Sequence, residues 1–228
     1  MSDKEQVALF DICGTYTGAA KRTEAHAQGL RVGLVFIWSA WRDENALEHM
    51  LLQTRARPGD PYLGSLDAAA GGHIRAGETP RQAAEREFFE EVGIALQPDQ
   101  LIDLGQLPLQ YAQRGIVRHA MQFFYLCNRP IELGETVFSE EVSAFVHVRL
   151  DDFDAIVNGR AAQITGTVRQ DTTPEKTLET AIAHTAFDAY SEPIMDAIRR
   201  SVRALRHALK HGVTDPAAWD QPMDHSAN

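Results

Sequence analysis

The chain is short of cysteine, of positive charge and of long apolar runs, and each shortage removes a class of function. Cys13 and Cys127 are the only cysteines in 228 residues. Two are too few for a disulfide framework, neither sits in a C-x-x-C metal-binding spacing, and both read as buried or inert thiols. Cations are outnumbered: 22 Lys and Arg face 32 Asp and Glu, a formal net charge of -10. Broad electrostatic capture of a nucleic-acid backbone is thereby excluded, and an acidic protein that handles phosphates needs metal ions or a few placed cations. No stretch reaches the roughly 18 to 20 apolar residues of a membrane span, and the opening MSDKEQVALFD lacks both the basic and the apolar block of a signal peptide. The expectation is a cytoplasmic protein without nucleic-acid or membrane partners.

What remains is ordinary globular material, 44% hydrophobic and 24% charged, enough for one large domain or a domain with an appendage. The start reads as a short strand, a turn around Gly14 and Gly18, a second extended piece and a short helix capped by Thr23. LRVGLVFIWSAW is a continuous apolar run, hence a buried strand; EHMLLQTRA is a second, leading into the turn-forming RPGDP. LGSLDAAAGGH is small and glycine-rich, a strand or loop that delivers backbone close to something. Further on, LIDLGQLPLQ, HAMQFFYLC and SAFVHVRL each read as strands. From Asp151 the reading turns helical: a short helix over 151–158, a loop through GRAAQITGTVRQDTTPEK, then helices over 175–187 and 191–211. The polar, proline-bearing end, GVTDPAAWDQPMDHSAN, is expected to be partly disordered.

The best-marked element is a helix from about Pro80 to Val92. Thr79 is a good N-cap, Pro80 suits the first turn, Gln82 completes a capping box, and Gly93 stands where a helix ends. At about 100° per residue, Glu87, Glu90 and Glu91 fall within an arc of roughly 100°, while Ala84, Phe88 and Val92 form the face that packs on a sheet. Charge runs are usually solvated faces. Here, however, Glu87 and Glu91 are like charges at i, i+4, and all three carboxylates occupy the end of the helix whose dipole disfavours them. A hard divalent cation reverses both penalties, and oxygen ligands in a compact patch suit Mg2+ or Mn2+.

The stretch GHIRAGETPRQAAEREFFEEVGI, residues 72–94, resembles the Nudix box, G-x5-E-x7-R-E-U-x-E-E-x-G-U with U apolar, at every specified position: Gly72, Glu78, Arg86, Glu87, Phe88, Glu90, Glu91, Gly93 and Ile94. The resemblance implies an α+β Nudix fold, an α/β/α sandwich with a mixed central sheet. To this the helical reading after residue 158 adds a C-terminal helical extension. An N-terminal β segment (1–30), a Nudix domain (31–158) and the extension (159–228) are the expected divisions. The resemblance further implies a metal site built from Glu87, Glu90, Glu91 and the Gly71 carbonyl. Glu78 is either a support for the loop or part of an additional, weaker metal site, and Arg86, unable to ligate a metal, holds a neighbouring glutamate by a charge-assisted pair. The base that takes a proton from the attacking water is a box glutamate or one from a later loop, where Glu141 matches the family position and Glu140 competes with it.

Upstream, Asp11, Gly18, Arg22, His26, Gly29, Gln53, Arg55 and the GGH at 71–73 resemble the branch of the family related to type 1 isopentenyl-diphosphate isomerase. That isomerase needs a cysteine just before the box histidine, where this chain has Gly71, and a histidine-rich metal site, where this chain has Arg31 in place of one histidine. Without the thiol, isomerisation loses a central group, and hydrolysis of a small phosphoanhydride is the better reading. His26 and His73 are candidates for substrate or metal contact or for a structural hydrogen bond. Arg55 and Arg114 are candidates to reach phosphate. Trp38, Trp41, Tyr62, Tyr111 and Phe123 are candidates to stack a base, with core packing the default. Nucleoside di- or triphosphates are the first expectation for the substrate. The alternatives are a nucleotide-sensing module without turnover and the isomerase. The last helices are open to three uses: a homodimer or partner surface, a lid, or simple packing.

Overall fold

The computed structural model describes residues 5–113 and 116–220. A hairpin of β1 (Gln6–Phe10) and β2 (Tyr16–Lys21) opens the chain and runs into α1 (Arg22–Ala27). The N-cap of α1 is Lys21, with no side-chain cap, so Thr23 lies inside the helix rather than capping it. The central strand is β3 (Arg31–Arg42). Phe36, Trp38 and Ala40 face one side of the sheet, Val35 and Ile37 the other, and both sets are covered, which is why the sequence here is an unbroken apolar run. The strands β4 (Glu48–Arg55), β5 (Leu66–Asp67) and β6 (Ala70–His73) precede α2 (Pro80–Val92). The long hairpin of β7 (Leu101–Gln113) and β8 (Ile116–Cys127) follows, then β9 (Val142–Arg149) and α3 (Leu150–Val157).

The strand order is β11-β10-β9-β4-β3-β1-β2, where β10 is Gln163–Gln170 and β11 is Thr177–Ala183. β8 runs parallel to β3 and antiparallel to β7, making the sheet mixed, while β6 pairs antiparallel with β3 and β5 with β4. Helix α2 covers one face through Ala83, Ala84, Phe88 and Val92 against Val35, Ile37, Ile74 and Phe145. The other face is covered by α3 and by α4 (Glu192–His211), with Phe153, Ile198, Val202 and Leu205 packed among Trp38, Met50, Leu52, Phe124 and Val148. The expected α/β/α sandwich with a mixed sheet is present.

Residues 163–183 differ from expectation. The segment read as a loop contains β10, and the helix read over 175–187 is β11 followed by a turn of 3-10 helix, His184–Phe187. In β10 the inward positions Ile164, Gly166 and Val168 alternate with outward polar residues, and the glycine interrupts the apolar signal. β11 is an edge strand in which only Ile182 is buried, and its Leu, Glu and Ala content favours helix until pairing with β10 overrides it. Cys13, read as buried or inert, is exposed; Cys127 is buried, and that burial pushes its thiol up to about 11. In the polar C-terminal segment, α5 (Ala217–Asp220) places Trp219 against Phe124, ring centroids 4.5 Å apart and stacked. The remaining tail expected to be disordered, 221–228, lies outside the described residues, as does Arg114. Among the described residues no helix is long and apolar enough to cross a membrane.

Candidate active site

Helix α2 starts and stops where its sequence says. Thr79 Oγ1 accepts from the Gln82 N–H at 3.2 Å, Gln82 Oε1 accepts from the Thr79 N–H at 2.9 Å, and Gly93 closes the helix in the left-handed conformation at φ 83°. Its apolar side is pinned to the sheet, so its carboxylates are presented to β6 and to the loop before the helix. Gly71 and Gly72, in the segment read as a strand or loop, lie within β6, paired with Phe36 and Val35 of β3. The need for glycine is steric: a Cβ on Gly72 would sit 2.3 Å from Glu87 Oε1, and one on Gly71 would sit 2.9 Å from the Val35 carbonyl. The glycine-rich strand thus lets backbone and carboxylate occupy adjoining space.

Arg86 organises the acidic cluster. Its Nε and Nη2 donate to both oxygens of Glu78 at 2.7 and 2.8 Å, Nη1 donates to Glu87 at 2.6 Å and Glu90 at 3.2 Å, and Nη2 also reaches the His73 carbonyl at 3.0 Å. Burial works against the charge of Glu78, yet the hydrogen bonds from Arg86 and from the Arg75 N–H hold its carboxyl below the usual range. Glu90 is the exposed member and is also met by Arg75 Nη2 at 3.3 Å. Burial raises Glu87 against the opposing pull of Arg86. Glu91 points inward, only 4% exposed, accepting from Gln53 Nε2 at 2.8 Å and the Gly71 N–H at 3.1 Å. Burial, with the charge of Glu87 nearby, pushes its carboxyl up to about 8. Among the described residues, no three His, Cys, Asp or Glu side chains are placed as they stand to hold a metal ion.

A cavity of about 580 Å³ opens beside this cluster. It brings together Glu87, Glu90, Glu141, Gly71, His73, His26 and Arg55; Glu78, Arg86 and Glu91 do not line it. The two histidine rings meet at 3.3 Å between their Nε2 atoms, so one donates and the other accepts. Burial, reinforced by surrounding arginines, depresses both, His26 to about 4 and His73 well below its ordinary value. Both rings are therefore neutral at pH 7. Arg55 is not a free phosphate ligand: Nη2 binds Asp60 at 2.5 Å and Nη1 binds Asp67 at 2.8 Å. Glu141, immediately before β9, pairs with Arg57 at 2.9 Å. Of the candidate stacking aromatics, Trp38, Tyr62 and Tyr111 line the cavity, whereas Trp41 and Phe123 pack in the core beneath α2.

Sequence reasoning missed Arg57, Arg75, Gln122 and Tyr190, all of which line the cavity. Arg57 sat within RPGDP and was read only as turn punctuation. Tyr190 comes from beyond the box region, and its hydroxyl donates to the Leu66 carbonyl at 3.0 Å. No local pattern announces either.

Comparison with known proteins gives a consistent picture. The NUDIX domain family model matches residues 33–169. An uncharacterized Nudix hydrolase of Clostridium acetobutylicum is 24% identical over 159 residues, covering 69% of this chain and 76% of that protein. An isopentenyl-diphosphate Delta-isomerase of Corynebacterium diphtheriae is 28% identical over 127 residues, covering 56% of this chain and 67% of that protein. Among solved structures, a protein from Deinococcus radiodurans superposes with a TM-score of 0.50 at 18% identity, covering 68% of this chain and 90% of that one, a likeness of fold.

Proposed function

This chain belongs to the Nudix family and is a pyrophosphohydrolase of it, and from that premise we propose that it uses Mg2+ or Mn2+ to split the diphosphate linkage of nucleoside di- or triphosphates or related nucleoside-diphosphate derivatives. The observation that carries the reading is the juxtaposition of three carboxylates on α2 with a glycine strand whose missing Cβ leaves room for one of them. The donor set fits a hard divalent cation: Glu87, Glu90 and Glu91 offer carboxylate oxygens and Gly71 a carbonyl. When bound there, such a cation supplies neutralisation of diphosphate oxygens and polarisation of a water.

The chain's own groups do the rest. Arg57 and Arg22 line the cavity, paired with Glu141 at 2.9 Å and Glu5 at 3.1 Å, and a diphosphate competes with those carboxylates for their charge. The neutral His26 and His73 pair presents hydrogen-bonding edges without adding charge. The water oxygen forms a bond to phosphorus as the bridging P–O bond breaks, and its proton passes to a carboxylate. Glu141, Glu87 and Glu90 line the cavity and are the bases in reach. Arg86 acts through its neighbours, fixing Glu78, Glu87 and Glu90 on one guanidinium. Isomerisation gains no support from the site: residue 71 is glycine, and neither Cys13 nor Cys127 lines the cavity.

A phosphate-release screen tests the proposal, run on nucleoside di- and triphosphates, dinucleoside polyphosphates, nucleotide sugars and prenyl diphosphates. Turnover of nucleotides is expected with Mg2+ and loss of it after exhaustive chelation. Full activity without metal, or interconversion of the two C5 diphosphates, would sink it.

A further inference from the structure

The cavity has a second end, and its chemistry differs from the first. In the sheet register His73 of β6 lies opposite Leu34 of β3, and Leu34 lies beside Gln122 of β8. Crossing those two strand spacings carries one about 10 Å from the histidine along the face opposite α2. The floor there is Phe36 and Phe124, neighbours in register whose rings are stacked with centroids 5.8 Å apart. The roof is Ile194 and Ile198 of α4, with the small Ala197 between them. Of the charged lining, Arg55 and Asp67 are paired with each other at 2.8 Å.

Two polar groups bordering this apolar chamber have no partner. Gln122 lines it and is only 4% exposed; no side-chain hydrogen bond ties its amide to the described residues, and its amide atoms are not among those sealed from open space. The Trp38 Nε1–H, on a side chain that also lines the chamber, is buried without an acceptor. The indole N–H is sealed from the cavity, but a carboxamide without a protein partner that opens into an apolar chamber marks a place where something else supplies the bonds. A purely hydrocarbon group would leave that carboxamide unsatisfied. A charged group would find no counter-ion that is not already engaged. A flat, uncharged ring with hydrogen-bonding atoms on its edge satisfies the floor, the roof and the amide together, because a carboxamide offers one donor side and one acceptor side.

Building on the nucleotide reading above, we propose that this chamber receives the base of the substrate, that Gln122 reads its edge, and that α4 closes over it. Gln122 is then a specificity determinant, remote from the bond that breaks. The C-terminal helix is part of the binding site although it lies outside the matched family region, 33–169.

The test measures kcat/KM with Mg2+ for adenosine, guanosine, cytidine and uridine diphosphates, ribose 5-diphosphate and n-pentyl diphosphate, on the native chain and on Gln122→Leu. The native enzyme is expected to spread the four bases over at least tenfold, and Gln122→Leu to compress that spread to within about threefold. Gln122→Glu, which keeps the shape but removes the donor, is expected to reorder the bases, and it serves if the leucine variant fails to fold by circular dichroism. An unchanged ranking and spread in these variants overturns the role of Gln122. So does a native preference for n-pentyl diphosphate over every nucleotide. If nothing in the panel is hydrolysed, the hydrolytic reading fails separately, and titration calorimetry on the same compounds decides the chamber: base-dependent affinity lost in Gln122→Leu supports it, and no base dependence in the native chain overturns it.

Discussion

Helices α2 and α4 cover opposite faces of one sheet and are bounded by the same devices. Each has proline in its first turn and ends on a left-handed glycine, Gly93 at φ 83° and Gly212 at φ 72°. They differ in what they bury. Helix α4 buries Ile198, Val202, Leu205 and Ala208 on an apolar stripe; its one buried polar residue, Ser201, donates its hydroxyl to the Ala197 carbonyl at 2.9 Å, and its partly buried Asp196 is paired with Arg200 at 2.7 Å. Helix α2 buries a carboxylate, Glu91, beside a second, Glu87, whose ionised form burial also opposes. Clean boundaries therefore say only that a helix exists. A buried acid kept against its own desolvation says that the helix has a task besides packing.

Substitutions that exchange the two roles test that contrast. Leu205→Ala, at a fully buried position of α4, is expected to cost about 2–5 kcal/mol in chemical denaturation. Its kcat on the folded fraction should stay close to native, and a large loss of kcat with intact stability would erase the distinction. Glu90→Gln should do the reverse. Its side chain is 43% exposed, so stability should shift by less than about 1 kcal/mol while turnover with Mg2+ falls about 10²–10³-fold. Undiminished turnover would remove Glu90 from the chemistry. The smallest and sharpest comparison places one methyl group on each face. At Gly72 the new Cβ displaces the Glu87 carboxylate, and activity should drop about 10–100-fold. At Gly166 it meets Ile182 and the Val146 and Val148 methyls, and the cost should appear as about 1–3 kcal/mol of stability with kinetics preserved. Equal kinetic effects from Gly72→Ala and Gly166→Ala would show that the two faces are not functionally distinct.

The same contrast explains what the sequence disclosed. Helix α2 was legible to the residue because its caps, its apolar spacing and its acidic cluster are all local. The buried strands were legible because both faces of β3 are covered. The hairpin of β10 and β11 was not: Gly166 interrupts the alternation of β10, and β11, an exposed edge strand that buries only Ile182, takes its conformation from its partner. In the site, the types of residue were readable but not their directions. That Glu91 turns inward onto Gln53 while Glu90 faces the cavity depends on how α2 sits on β6, and one helical turn looks the same in either case. Arg57, Gln122 and Tyr190 join the cavity only through long-range pairing.

The aromatic contact between Tyr62 and Tyr190, ring centroids 4.9 Å apart, ties the loop after β4 to the last third of the chain. In the proposed chamber the roof, from α4, and the acidic helix α2 belong to separate stretches of polypeptide, while the floor and Gln122 belong to the sheet between them. That roof can change in length or sequence without touching the acidic helix on the opposite face. A chain cut at residue 169, where the family match stops, would lose that ceiling and bare the greasy underside of the sheet to water.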